Sequence, residues 1–242
     1  SETTKNAVIS RIGRDGFKKS LRHDNYIPNV AIVDPQLTVS CSKHVTASSG
    51  LDAFTQLLEA YVSPKSSAMI DALALDGLLN VVRSLKRAWE SPDDIEARAG
   101  MSYAAMLSGI ALANAGLGSV HGFASSVGGL FPVPHGVVCG TLMAECAAMN
   151  VKKLADTQNP AYFKYAQVGR LMTEKSNQTD PYYCDLLVDA LYQLTNDMDI
   201  PRLSAFGVTQ EHIAEIVAAT GNKNNPVALS SDDMSLILEN RI

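Results

Sequence analysis

Apolar and polar positions change their period near residue 48. Before that point, short apolar runs stand between glycine, proline and aspartate: AVIS at 7–10, a GRDG turn at 13–16, and VAIVDP at 30–35, flanked by Pro28 and Pro35. Runs bounded in this way predict strands. From Ser48 onward the spacing is helical. Leu51, Phe54, Leu58 and Tyr61 recur three and four residues apart on one face, Ser49-Gly-Leu-Asp52 reads as the capping box that opens the helix, and Pro64 ends it. Ser67 to Glu90 predicts a long amphipathic helix, and Ser91-Pro92-Asp93 restarts one that runs to about Ala115, rich in alanine as a central buried helix is. Beyond a glycine-rich stretch, helices are expected over 137–150, 161–174 and 181–194, and two shorter ones from Thr209 and Ser231 behind capping hydroxyls. The expected fold class is mainly all-α, with roughly eight helices behind a short strand-containing lead-in. Residues 1–45 and 46–242 form its two parts.

Composition narrows the classes of function. The chain has 242 residues, 46% hydrophobic and 19% charged, enough for a sizeable core. Its net charge of -5 and scattered lysines and arginines lack the basic footprint of a nucleic-acid binder. Cys41, Cys139, Cys146 and Cys184 contain no CxxC pair, which argues against a disulfide framework and a thiolate metal site and favours a reducing, cytoplasmic setting. A charged-then-apolar leader and a run of eighteen apolar residues are both lacking, so secretion and membrane spanning are unsupported.

The candidate chemistry centres on SVHGFASSVGGLFPVPHG, which holds His121 and His135, two of the five histidines. Either one alone reads as a buried ring donating to a backbone carbonyl. Asp52, Gln56 and Glu59 share a stripe of the first helix. Two readings of that stripe stay open. In one it is a solvated face carrying the acidic end of the capping box. In the other, oxygen ligands one turn apart face the two histidines around a divalent metal, where imidazole with carboxylate suits iron, zinc or nickel better than magnesium or calcium. The pairs Gly116/Gly118 and Gly128/Gly129 do not match GxGxxG and follow a helix, so they read as helix ends and close contacts. Ser125 and Ser126 beside His121 lack an acidic orienter for a triad. His23 and His44 in loop-like sequence and His212 on a short helix read as surface residues.

VAIVDPQLT, SSGLDAFTQLLEAYVS and SVHGFASSVGGLFPVPHG, in that order and spacing, resemble the iron-containing (group III) alcohol dehydrogenases, related in fold to glycerol dehydrogenase. The resemblance spans nearly the whole chain. Ser1-Glu2 is similar to the end of that family's GTGSE loop, and NNPVALSSDDMSLIL to its closing helix. It implies that residues 46–242 are the C-terminal helical metal and substrate domain of a dehydroquinate synthase-like fold. Residues 1–45 would be the tail of the dinucleotide-binding α/β domain, a hairpin and strand deprived of their sheet, with exposed edges and apolar surface. Most of the cofactor domain, including its GGGS motif, would then be missing, and the chain is expected to be inactive alone.

Carried over residue by residue, the resemblance implies a metal site of Asp52, Gln56, His121 and His135, with His121, His135 and Ser125 as catalytic positions. It implies cofactor contacts at Lys18, Leu37 and Thr38, and places Asn6 near the substrate. The family usually has histidine where Gln56 stands, and often a histidine implicated in proton transfer where Ser125 stands. A glutamine amide is a weaker ligand for iron or zinc than imidazole. Serine does not titrate near neutral pH and can only relay a proton. The implied reaction interconverts an alcohol with an aldehyde or ketone by hydride transfer to or from NAD or NADP, with a divalent metal, iron foremost, as Lewis acid. The implied partners are that small molecule and further copies of the chain in a homodimer or higher homo-oligomer. The two departures leave open a non-catalytic scaffold with a decayed metal site and a metal-independent reductase.

Overall fold

The computed structural model describes residues 3–13 and 15–242; Ser1-Glu2 and Arg14 of the expected turn lie outside the described residues. Strands β1 (Asn6–Arg11) and β2 (Phe17–Arg22) pair antiparallel, with Asn6 opposite Arg22 and Ser10 opposite Lys18. Nine α-helices follow among the described residues: α1 (Lys43–Val62), α2 (Ala68–Glu90), α3 (Ile95–Ala115), α4 (Ser119–Leu130), α5 (His135–Leu154), α6 (Pro160–Leu171), α7 (Asp180–Asp197), α8 (Ile213–Ala219) and α9 (Ser231–Glu239). None of them alone is long and apolar enough to cross a membrane.

The core is helical throughout. Leu51, Phe54, Leu57, Leu58 and Tyr61 of α1 are all buried, as the three- and four-residue spacing requires. α5 runs through the middle, buried at every position from Val137 to Ala147. α1 packs on α2, α3 and α5, and α4 lies between α5 and the hairpin.

Three expectations are corrected. Residues 30–35 form no strand: Val30 and Ile32 are 75% and 81% exposed, and Pro35–Thr38 is a 3-10 turn capped by Asp34. An apolar run becomes a strand only where another strand completes its ladder, and the hairpin is the only sheet among the described residues. Most of the exposed large apolar side chains belong to residues 8–45.

The second correction concerns α1, which opens at Lys43 behind Ser42, whose Oγ accepts from Val45 N at 3.2 Å. Ser49 sits inside the helix, so the box with Asp52 does not form. Ser48-Ser49-Gly50 imitates a helix start because its members are poor helix formers, yet Ser48 and Gly50 are small in order to be covered closely. Ser42→Ala is expected to cost about 1 kcal/mol, against less than about 0.5 kcal/mol for Ser49→Ala. Paired thermal melts of the two variants check this, and the reverse order would restore the later start.

Third, the glycine-rich stretch contains α4. Each glycine inside a helix costs about 1 kcal/mol relative to alanine, which hides the helix from a reading of the sequence. Here Gly128 and Gly129 let α4 settle onto β2: a Cβ on Gly129 would stand 3.0 Å from the Phe17 Cα. His44 is exposed as expected, but on α1 rather than in a loop. His212 is half-buried, accepts at Nδ1 from Thr209 N at 3.0 Å, and meets the Phe131 ring edge-on at 4.8 Å.

Candidate metal centre

Helices α1, α4 and α5 bring their polar side chains to one point. Asp52, Gln56 and Glu59 form a stripe on α1 that faces inward. The start of α4 has no side-chain cap of its own; instead Glu59 Oε1 accepts from Val120 N at 2.7 Å, placing a carboxylate where the helix dipole favours it. Glu59 Oε2 lies 2.6 Å from His121 Nδ1. That contact holds the ring proton on Nδ1 and turns Nε2 toward the cavity, the outer support found behind metal-ligating histidines.

His121 Nε2 stands 3.2 Å from Asp52 Oδ1, and His135 Nε2 stands 3.8 Å from the same oxygen. The two imidazoles meet at 62° with centroids 5.3 Å apart. Asp52 Oδ1 is buried and accepts no hydrogen bond. In a neutral ring, with Nδ1–H committed to Glu59, the Nε2 lone pair and the Asp52 oxygen would be two acceptors facing each other. Only a second proton or a cation between them relieves the contact. Tetrahedral zinc with nitrogen and oxygen ligands at about 2.0–2.2 Å sets those atoms about 3.3–3.5 Å apart, so the spacing fits a metal ion. Cys139, one turn beyond His135 on α5, completes a group whose ligating atoms all lie within 4.8 Å of one another.

Electrostatics agree with that arrangement. Burial alone would raise Asp52, but the hydrogen bond and charge of His121 with the charge of His135 hold its carboxyl down at about 2. Burial opposes the His121 imidazolium, and the groups around it, Cys139, Glu59 and Asp52, more than offset this, so it titrates well above the ordinary histidine value; without metal, the second ring proton sits on Nε2 facing Asp52 Oδ1, the place a cation would take. Burial lowers His135 to about 4 despite Asp52, leaving it a neutral ligand. Burial and Asp52 push the Cys139 thiol up to about 12.

The other expected site residues divide. Lys18 reaches His135 Nδ1 at 3.2 Å, and burial lowers its pKa. Asn6 and Ser125 line the same cavity. Ser125 Oγ donates to the His121 carbonyl at 2.9 Å. Gln56 stands beside the group with both ends of its amide engaged: Nε2 donates to Asp52 Oδ2 at 3.2 Å and Oε1 accepts from Ser108 at 3.1 Å. Leu37 is 77% exposed, and Thr38 lines a separate cleft with Cys41 and Arg98, so neither lines the metal cavity.

Two residues of the site were not singled out from sequence. Cys139 lacks a cysteine neighbour, and its signal was the one-turn spacing from His135. Lys223, in left-handed backbone at φ 51°, sends Nζ to the His121 carbonyl at 2.5 Å and to Ser125 Oγ at 3.2 Å. No sequence signal marked it.

Residues 46–242 match the C-terminal part of the Fe-containing alcohol dehydrogenase family. The chain is 32% identical over 232 residues to 1,3-propanediol dehydrogenase of Citrobacter freundii, covering 93% of this chain and 58% of that one. It is 30% identical over 249 residues to the NAD-dependent methanol dehydrogenase of Bacillus methanolicus, covering 100% and 63%. The crystal structure of a 1,3-propanediol oxidoreductase superposes with a TM-score of 0.90 at 28% identity, across 100% of this chain and 63% of that one. The chain thus spans less than two thirds of the length of these relatives. The family match covers Asp52, Glu59, His121 and His135, the converging carboxylates and imidazoles, and the chain belongs to the Fe-containing alcohol dehydrogenase family.

Proposed function

We propose that the chain is the metal- and substrate-binding part of an NAD(P)-dependent alcohol dehydrogenase or aldehyde reductase. Asp52, His121 and His135 would hold a divalent ion, with iron, zinc and nickel all suited to the donor set. The observation that carries this reading is the convergence of Asp52 Oδ1 with His121 Nε2 at 3.2 Å and His135 Nε2 at 3.8 Å, in a group whose ligating atoms all lie within 4.8 Å of one another. When bound, the ion supplies Lewis acidity for the oxygen of an alcohol or carbonyl. The chain's own residues do the rest. Glu59 fixes the tautomer of His121, and Gln56 holds Asp52 in place. Asn6 and Lys18 wall the approach for substrate and nicotinamide. The Ser125 hydroxyl, beside Lys223 Nζ, is placed to pass a proton. The NAD dependence of the methanol dehydrogenase relative supports the cofactor class.

The reading includes self-association into a homodimer or larger assembly and, from four free thiols, a cytoplasmic setting. Leu37 and Thr38 would take part in cofactor binding from their separate cleft. The described residues contain no strand leading into a glycine-rich phosphate turn, so these 242 residues alone are expected to show no turnover. Added metal, NAD(P) and a panel of short alcohols, followed by hydride absorbance, test this, and robust turnover would overturn it. Elemental analysis after reconstitution with iron(II) or zinc tests the metal. Stoichiometric metal, lost in His135→Ala, is expected; no stoichiometric metal with either ion would favour the scaffold reading, which the fully engaged Gln56 amide supports.

A further inference from the structure

We propose that Cys139 is a ligand of the metal centre, so that this chain builds an Asp-His-His-Cys site in which a thiolate takes the place that Gln56 does not fill. The inference rests on the reading of Asp52, His121 and His135 as metal ligands and adds a fourth donor and a metal preference to it.

Position carries the first part of the argument. Cys139 lies four residues after His135 on α5, so the two side chains share one helix face. Its Sγ stands 3.7 Å from His121 Nε2 and 3.8 Å from His135 Nε2. A tetrahedral ion with sulfur at about 2.3 Å and nitrogen at about 2.0–2.1 Å sets sulfur and nitrogen about 3.6 Å apart. Both separations are close to that edge. Together with the 3.2 Å and 3.8 Å separations of Asp52 Oδ1 from the same two nitrogens, they give four of the six edges of a four-donor set whose atoms all lie within 4.8 Å of one another.

Hydrogen-bond accounting carries the second part. A thiol has one proton to donate, while Cys139 faces two imidazole nitrogens and the Asp52 carboxylate. Lys18 Nζ donates to His135 Nδ1, so the neutral His135 ring carries its proton on Nε2, 3.8 Å from both Sγ and Asp52 Oδ1, and Asp52 Oδ1 remains without a hydrogen bond. A cation at the centre satisfies all four donors at once. A buried cysteine acting as a small apolar filler would touch methyl groups, as free cysteines in cores do. Of the four free cysteines, only Cys139 joins a ligating group among the described residues.

Binding then breaks the Cys139 S–H bond, releases its proton to solvent and forms a sulfur–metal bond, with no change of oxidation state. A thiolate among imidazoles and a carboxylate is a softer set than one with a third imidazole, and it favours zinc over iron(II). Cobalt(II) serves as the spectroscopic stand-in for zinc.

The test is titration of the metal-stripped full chain with cobalt(II). The wild type is expected to develop a near-ultraviolet sulfur-to-cobalt charge-transfer band saturating at one ion per chain. Cys139→Ser and Cys139→Ala are expected to lose that band and to bind cobalt at least about tenfold more weakly in competition with a chelator. Stoichiometric cobalt without the band, or an unchanged band in Cys139→Ala, overturns the thiolate and leaves the Asp-His-His reading standing. Failure of the wild type to bind stoichiometric cobalt overturns both. X-ray absorption of the zinc-loaded wild type requires no variant to fold: a sulfur scatterer at about 2.3 Å is expected, and a shell of nitrogen and oxygen alone overturns the inference.

Discussion

Glu59→Gln is expected to lower metal affinity by about 10–100-fold while leaving most of the fold's stability intact. The glutamine carbonyl can still accept from Val120 N, so α4 keeps its cap. Its amide, however, donates where the carboxylate accepted. His121 Nδ1 must then become the acceptor, which moves the ring proton to Nε2 and aims it at Asp52 and the metal position. Glu59→Ala differs in kind: it strips a partner from a pair buried to 5% and 8% side-chain exposure and uncovers the Val120 N–H as well. Removing one member of such a pair costs about 3–5 kcal/mol. At about 2–4 °C per kcal/mol, the alanine variant should melt well below the glutamine variant. Chelator competition and thermal melts on both proteins read the two effects separately. Equal metal affinity in wild type and Glu59→Gln would sink the tautomer argument.

Gly136→Ala is expected to damage the centre by the addition of a single methyl group. A Cβ at this position would stand 2.5 Å from Ser48 O and 2.8 Å from Ser48 C, both backbone atoms of α1 that cannot rotate away. Gly136 follows His135, and Ser48 lies one turn before Asp52, so the contact sets the spacing of two ligands. Forcing α1 and α5 apart costs about 1–3 kcal/mol in overpacking. It also moves His135 away from Asp52 in a site that tolerates about 0.5 Å. Metal affinity should therefore fall more than stability predicts. Gly221→Ala is the control: nothing lies within 4 Å of its added carbon, and a change within about 0.5 kcal/mol is expected. If Gly136→Ala melts and binds metal like wild type, the close approach does not set the site.

The sequence pattern revealed what periodicity encodes. α2, α3, α6 and α7 repeat apolar residues over three or more turns between clear caps, and they lie close to their expected positions. α4 escaped because its glycines are chosen for tight contact with the hairpin, a tertiary reason that no local propensity reports. The start of α1 was misplaced for the same reason: Ser48 and Gly50 look like a loop but are small because α5 and α2 press on them. Residues 30–35 carry strand chemistry without a paired neighbour among the described residues. At the site, Asp52, His121 and His135 were legible together because three motifs keep their order. Cys139 has no CxxC partner, and its one signal is a thiol four residues from a histidine on the same helix face. Lys223 depends on a left-handed turn that sequence does not announce.

The bond from Lys18 to His135 makes the hairpin a lever on the centre. β2 is held on α4 by Gly129 backbone contacts, and its Lys18 ammonium sits 3.2 Å from the far nitrogen of the His135 ring. β1 and β2 pair only with each other and leave one edge each unpaired among the described residues. Any displacement of β2 relative to α4 would carry with it the positive charge behind the His135 imidazole. The seating of the hairpin on α4 therefore sets part of the field at His135 from outside the helices that carry the site.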